Sequence, residues 1–382
     1  MVALLLGRVA SIILPLVDRY SWDLMTEPEW KRLPLSLTQA AGIIAQHRFV
    51  FIGGPHRGGT TLLWRLLAAH PSMSAFDEHR DTDFGEGSFL QTVMPTFGVG
   101  REAHALKNGG SRTTGIGVYA LSPNAHLTEA SQLLTDANRA RLVSEWGWHW
   151  NLSRPVLIEK TPTNMVASRL LQAFFTLPAA ASPSFIFISR HPLAVSLAHR
   201  RLRECRQLSI LNLNRHWLVS HEALFADLGH LRAASVIRYE DLVRDPTTCV
   251  AEVLTTLRLP PYTVAPSRVS RDTNSKYERE YCEMLARGPT EQRRHCAMAN
   301  ALQPRIGLLG LGYDLGVGDE SGFACIRDAL PGITPASSAD TPASSAACAG
   351  IEAARVPKAL HSPLPRVQRQ RSSVCMMTVQ PQ

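Results

Sequence analysis

The sequence has no CxxC pair and no cluster of cysteine with histidine, so its seven cysteines do not point to a structural zinc site. Their odd number leaves the redox compartment open. No internal repeat is visible. There is also no uninterrupted apolar run of the ~20 residues that a membrane-spanning helix needs. The nearest approach, Val2–Val17, is broken by Arg8 and Pro15. It reads either as a short signal anchor or as an amphipathic or buried N-terminal helix. The most telling absence is a single lysine. Gly54-Pro55-His56-Arg57-Gly58-Gly59-Thr60-Thr61 follows the outline of a nucleotide-hydrolase phosphate loop, GxxxxGK[ST], but Thr60 stands where the lysine belongs. An ATPase or GTPase needs that lysine and a magnesium-binding acid to neutralise β- and γ-phosphates. A phosphate-loop kinase or NTPase is thereby disfavoured, and magnesium-dependent ATP turnover would be needed to revive it.

What is present begins with order. Phe49–Gly53 is an apolar β-type run, the glycine-rich turn follows, and Thr60–Ala69 is an amphipathic helix. A turn too tight for side chains then aims its N–H groups at an anion over a helix N-terminus. The cation has moved inside the loop, to Arg57. Further on, Pro155–Ile158 and Thr163–Phe175 read as strand and helix, Phe185–Ser189 as a buried central strand followed by a helix from Pro192, and Ser235–Arg238 and Thr247–Leu259 as a last strand and helix. Alternating strands and helices predict an α/β fold of phosphate-loop type, a mainly parallel sheet with helices on both faces. Ligands of such sheets bind beyond the carboxyl ends of the strands.

The chain of 382 residues, 45% hydrophobic, is long enough for one sizeable core, and a single domain is expected over residues 46–318. Residues 1–45 form the N-terminal apolar or helical segment, a possible membrane anchor. Residues 319–382 change character: Pro331–Gly350 is dominated by Ala, Ser, Thr and Pro, and Arg366, Arg369 and Arg371 follow. Too little apolar surface is available there to offset ordering entropy, so a disordered basic tail is expected. The net charge of +8 and pI near 9.3 suit an anionic ligand, although part of that charge lies in the tail.

The phosphate loop and the Ala69-His70-Pro71 that ends its helix resemble the PAPS-dependent sulfotransferases (PAPS is 3′-phosphoadenosine 5′-phosphosulfate), of the tyrosylprotein and carbohydrate type. The resemblance runs from Phe49 to Tyr281. Its matched segments are the loop, Ile158–Phe175, Phe185–Arg201 and Val236–Pro246; the stretch from Asp83 to Trp150 matches poorly. It implies sulfonate transfer from PAPS to a protein tyrosine or carbohydrate hydroxyl, with no metal and no nucleic-acid partner expected. It also implies a Golgi or secretory location, with possible membrane anchoring through the N-terminus and a cytoplasmic place as the alternative. The sequon Asn151-Leu152-Ser153 is compatible with a lumen.

Residue by residue, Gly58, Gly59, Thr60 and Thr61 would hold the phosphosulfate, with Arg57 offsetting charge on the leaving group. Glu159-Lys160-Thr161-Pro162-Thr163-Asn164 resembles the family's E-K-[ST]-P-x-N element, in which Lys160 would steady the sulfonate; a structural pair of Glu159 with Lys160 or a basic neighbour is the alternative. Asp77-Glu78-His79-Arg80 matches the stretch whose second acid is the base, hence Glu78 as base and Arg80 as its assistant, with His79 as a rival base and a charged surface loop as the plain reading. Arg190 closes the strand before a helix and would bind the 3′-phosphate. The family's helical serine eight residues later is missing: position 198 is Ala198. Ser196 is six residues on, an offset of about 200° around the helix, and His199 and Arg200 are the other candidates. The lost serine also leaves open an inactive nucleotide-binding relative. Tyr239, in Val236–Leu242, would lie against the nucleotide, and Ser275 and Lys276, in Asp272–Tyr277, would fold over it. Trp146, Trp148 and Trp150 read as a half-buried strand or packing edge, or as the aromatic wall of an acceptor cleft.

Overall fold

The computed structural model describes residues 34–96, 115–178, 180–263, 269, 273–315, 323, 326, 367–369, 373 and 375–379. The possible anchor within residues 1–33 lies outside them. In chain order the regular elements are α1 (Leu37–Gln46), β1 (Arg48–Gly53), α2 (Thr60–Ala68), β2 (Met73–Ser74), α3 (Asp136–Gly147), β3 (Val156–Lys160), α4 (Asn164–Phe175), β4 (Ser184–Ser189), α5 (Pro192–Arg200), α6 (Ile210–Leu228), β5 (Ala234–Arg238), α7 (Tyr239–Arg244), α8 (Pro246–Thr256), α9 (Ser275–Leu285), α10 (Pro289–Leu308), β6 (Val367–Arg369) and β7 (Met376–Val379). The strands line up as β2-β3-β1-β4-β5-β7-β6. The first five are parallel, and β7 and β6 add antiparallel at the edge. The expected α/β single domain is what forms.

Side-chain alternation along the strands explains why they are apolar throughout. Phe49 and Phe51 of β1, with Phe185 and Phe187 of β4, enter the core shared by α1, α3, α4, α5 and α6. Val50 and Ile52, with Ile186 and Ile188, enter the core covered by α2, α7 and α8. Successive residues of a strand face opposite ways, so a sheet covered on both faces has no polar side to spare. Each Phe or Ile buried here contributes ~1.5–3 kcal/mol relative to exposure.

Register then gathers the chemistry. Ile52 lies beside Lys160, Gly53 beside Phe187, and Ser189 beside Arg238. The phosphate loop, Lys160, Arg190 and Tyr239 therefore leave the sheet at one edge, the carboxyl end of the parallel strands.

One expectation fails, and of the tryptophan readings the packing edge holds while the strand does not. β6 and β7 come from the segment beyond Asp319 that composition marks as a disordered tail. Met376 and Met377 enter the two cores, and Cys375 forms a disulfide with Cys249 of α8. A few apolar residues and one covalent link do what the segment's average composition conceals. The tryptophan triplet is likewise not on a strand. Trp146 belongs to α3 and Trp148 is its C-cap. Trp146 and Trp150 are buried against Phe49, Phe51 and Phe76, whereas Trp148 is 42% exposed.

Candidate functional site

The loop between β1 and α2 is shaped by backbone contacts that leave no room for side chains. A Cβ on Gly54 would come within 2.3 Å of the Ile188 carbonyl oxygen. Gly59 is left-handed at φ 102°, and a Cβ there would lie 2.4 Å from the Tyr239 ring. Arg57 is also left-handed, at φ 65°, an unfavourable conformation for a side-chain-bearing residue that costs ~1–3 kcal/mol and needs surrounding structure to hold it. Gly59 is the N-cap of α2, and among the described residues no side chain caps the first amides of that helix. The positive end of the helix dipole and its orphan N–H groups are thus open to an anion.

The cation missing from the loop arrives from the neighbouring strand. Lys160, fully buried, places Nζ 3.2 Å from the Thr61 hydroxyl and 3.1 Å from Oε1 of Glu86. Burial lowers the Lys160 pKa, with the Glu86 carboxylate acting against that shift; burial raises the pKa of Glu86. Glu159 points the other way, as strand alternation requires. It accepts from the amide of Gly87 at 3.0 Å, from Nδ2 of Asn164 at 2.6 Å and from the Thr161 hydroxyl. Burial pushes its pKa up to about 7. The structural pair is therefore Glu86 with Lys160, not Glu159 with Lys160. Glu86 carries no sequence signal of its own: it sits in the insertion that matches poorly.

Arg190 is held on all sides. Its Nε and Nη2 donate to Oδ1 of Asn274 at 2.9 and 2.6 Å, and Nη1 donates to the Arg57 carbonyl at 3.0 Å. Its guanidinium lies 4.2 Å from the Tyr239 ring centroid and 5.3 Å from that of Tyr277. Glu240, fully enclosed and with its pKa raised by burial, ties the surroundings together: it accepts from the amide of His191, from Asn274 and from Tyr313. Ser275 opens α9 directly after Asn274, and exposed Lys276 places Nζ 4.8 Å from the Tyr277 ring. Arg190 and Tyr239 thus meet beside the loop, and Ser275 and Lys276 follow Asn274, which holds Arg190.

Ser196 does not join them. It is fully buried in α5, and its hydroxyl has no hydrogen-bond partner among the described residues. The two-residue offset read from the sequence has its expected consequence: the side chain faces the packed interior. His199 is also buried, its Nδ1 bonded to the Val195 carbonyl, and burial takes its pKa down to about 4. His56, inside the loop, falls to about 3 through burial, then through His199, Lys160 and Arg57.

The Asp77–Arg80 loop forms one wall of a separate cleft of about 540 Å³, whose other walls include Trp64 and Trp148. Glu78 takes a forked hydrogen bond from Arg65 of α2, with Nη2 to Oε2 at 2.7 Å and Nε to Oε1 at 3.0 Å. Its charge reaches Lys160, whose Nζ stands 6.0 Å from the Trp64 ring. Arg80 is exposed and bonds to Asp81, and His79 is almost wholly exposed. Asp77 accepts from the amides of His79 and Arg80, which hold its carboxyl below the usual range. Glu78 therefore sits in this cleft with Arg65 as its partner, while Arg80 and His79 face solvent.

The sequence model described as "Sulfotransferase family" matches residues 50–263, more than half of the chain. No curated protein matches. Among solved structures, the sulfotransferase domain from the curacin biosynthetic pathway is 20% identical, with 58% of this chain and 80% of that one covered and a TM-score of 0.35. A sulfotransferase from Alicyclobacillus acidocaldarius is 16% identical over 63% and 94% of the two chains, at a TM-score of 0.34. Sulfotransferase STF1 from Mycobacterium tuberculosis H37Rv is 16% identical over 65% and 80%, at 0.38.

Proposed function

This chain belongs to the sulfotransferase family, and from that premise we propose that it moves the sulfonate of PAPS to the hydroxyl of a protein tyrosine. The observation that carries the proposal is the meeting of Lys160 Nζ with the Thr61 hydroxyl at the uncapped N-terminus of α2, beside Arg57. The residues fit the cosubstrate: open amides and two cations for a phosphosulfate, and Arg190 with Lys276 for a further phosphate. PAPS supplies an activated sulfonate. The amides of Gly59, Thr60 and Thr61 hold the 5′ end, the Gly58 amide being bonded to the Pro55 carbonyl, and Arg57 and Lys160 offset the charge that grows on the leaving oxygen. Tyr239 and Ser275 border the nucleotide. Glu78 takes the proton of the attacking hydroxyl, with Arg65 orienting its carboxylate and Arg80 at the rim of the cleft.

A carbohydrate acceptor is the second reading, favoured by exposed Trp148 on the same cleft, because an indole face suits a sugar ring as well as a phenol. The proposed setting is an oxidising compartment of the secretory pathway. The Cys249–Cys375 disulfide supports it, and Cys282 and Cys296 are disulfide-bonded as well. Among the described residues no helix is long and apolar enough to cross a membrane. Golgi anchoring would therefore depend on residues 1–33.

Incubation with radiolabelled PAPS against panels of tyrosine peptides and glycans tests the proposal. Label is expected on peptides, abolished by Arg57→Ala and strongly reduced by Glu78→Ala. Label on glycans alone would move the acceptor to the second reading. Tight binding of 3′,5′-adenosine bisphosphate without transfer to either panel would mark a relative that has kept the nucleotide site and lost the reaction.

A further inference from the structure

We infer that Arg201 completes the 3′-phosphate site of this chain and gives it its preference for a 3′-phosphorylated nucleotide. The inference rests on the PAPS reading above. A 3′-phosphate carries close to two negative charges and calls for a further fixed donor beside the guanidinium of Arg190 and the exposed ammonium of Lys276. Of the groups first considered for the missing serine's place, Arg200 lines the same cavity as Arg201, and the others are unsuited. Ala198 has no polar atom, Ser196 is sealed in the core, and His199 is buried and stays neutral well below pH 6.5.

Arg201 lies three residues past Ala198 and is the C-cap of α5, still in helical conformation. Residues three apart share a helix face, and long helical side chains lean toward the N-terminus, back over the preceding turn. An arginine at 201 thus covers the place where a side chain at 198 would project. The structure agrees with that direction: the Arg201 guanidinium lies 5.0 Å from the Tyr277 ring centroid, the same ring that Arg190 approaches at 5.3 Å and Lys276 at 4.8 Å. Three cations from three points of the chain converge on one buried tyrosine. Beside them opens a cavity of about 370 Å³ lined by Arg200, Arg201, Arg206 and Arg287, with Glu280 as its one carboxylate. Arg201 holds Glu280 at 2.9 Å with both side chains about half exposed. An exposed pair of this kind is weak and exchanges readily for a dianion.

Calorimetry with 3′,5′-adenosine bisphosphate and with 5′-AMP, on the wild-type chain and on Arg201→Ala, tests this. The wild type is expected to prefer the bisphosphate, and Arg201→Ala to lose about 10- to 100-fold of that preference, the worth of one charge-assisted hydrogen bond, while its affinity for AMP stays unchanged. Arg201→Lys should recover part of the preference, and matched melting temperatures should show that both variants fold. Full preference retained in Arg201→Ala overturns the inference and leaves the PAPS reading standing. A wild-type chain that does not distinguish the two nucleotides overturns both.

Discussion

Two carboxylate–cation pairs flank α2, and they are built to opposite rules. Lys160 with Glu86 is buried against the loop, whereas Glu78 with Arg65 stands at an open cleft with Arg65 54% exposed. Removing one member of a buried pair strands a charge without solvent and costs ~3–5 kcal/mol. An exposed pair is screened and contributes ~0–1 kcal/mol. The first arrangement suits a group whose position must not vary, the cation proposed to face a transferring sulfonate. The second suits a base that must exchange protons with an incoming acceptor and with bulk water. The difference in burial, more than the difference in residue type, separates the proposed donor side of the site from the proposed acceptor side.

The comparison can be broken in four ways. Lys160→Met should have the largest effect: turnover falls by ~100-fold or more, and chemical denaturation shows ~3–5 kcal/mol of lost stability. Adding Glu86→Gln should restore much of the stability and none of the turnover; recovery of both would make the pair purely structural. Glu78→Gln comes next. Steady-state assays should show kcat reduced by ~10²–10⁴ with an almost unchanged melting curve. If Glu78→Gln remains active while Glu86→Gln is dead, the base lies on the buried side and the division drawn above is wrong.

Acid should separate the two regions more gently. His56 and His221 fall to about 3, and His199 and His295 to about 4, each lowered first by burial. Groups with depressed folded pKa values give stability that is complete above the unfolded value near 6.5 and is lost as pH falls toward 3–4. Glu159, raised to about 7, works the other way: its contribution is complete below 4.5 and is lost as pH rises toward 7. The five lowered histidines, His216 included, outnumber the three raised carboxyls, Glu159, Glu86 and Glu240, so melting temperature should decline from pH 6.5 to pH 4. A flat or rising profile would contradict the buried, neutral state of these imidazoles. The smallest effect belongs to Arg65→Ala, expected below ~1 kcal/mol in stability and visible mainly as a changed pH dependence of turnover through its partner Glu78.

Legibility in the sequence followed locality. The loop was readable because each of its requirements is met within eight consecutive residues: glycine where Tyr239 or Ile188 crowds the backbone, hydroxyls at the helix start, a cation between them. Lys160 and Arg190 were readable because each closes an apolar strand. Ser196 showed its difficulty in advance, since helical periodicity alone turns it away from the site. Glu86 was not readable. It lies in an aperiodic insertion, and only the fold brings it to Lys160, 74 residues away. Asn274 and Glu240 stood in quoted segments without a role, because their importance is to hold Arg190 and its neighbours in place. Cys375, Met376 and Met377 were lost in the average of a polar tail.

The amino-acid order by itself determined the α/β alternation, the phosphate cradle and the absence of its usual lysine, since these depend on backbone permissiveness and on side-chain period over a few residues. Tertiary structure alone decided which carboxylate neutralises Lys160, which cations share Tyr277, and that residues near the C-terminus finish the sheet. Those outcomes depend on burial and on contacts between distant segments, and the energy of a charge is set by what surrounds it once the chain has folded.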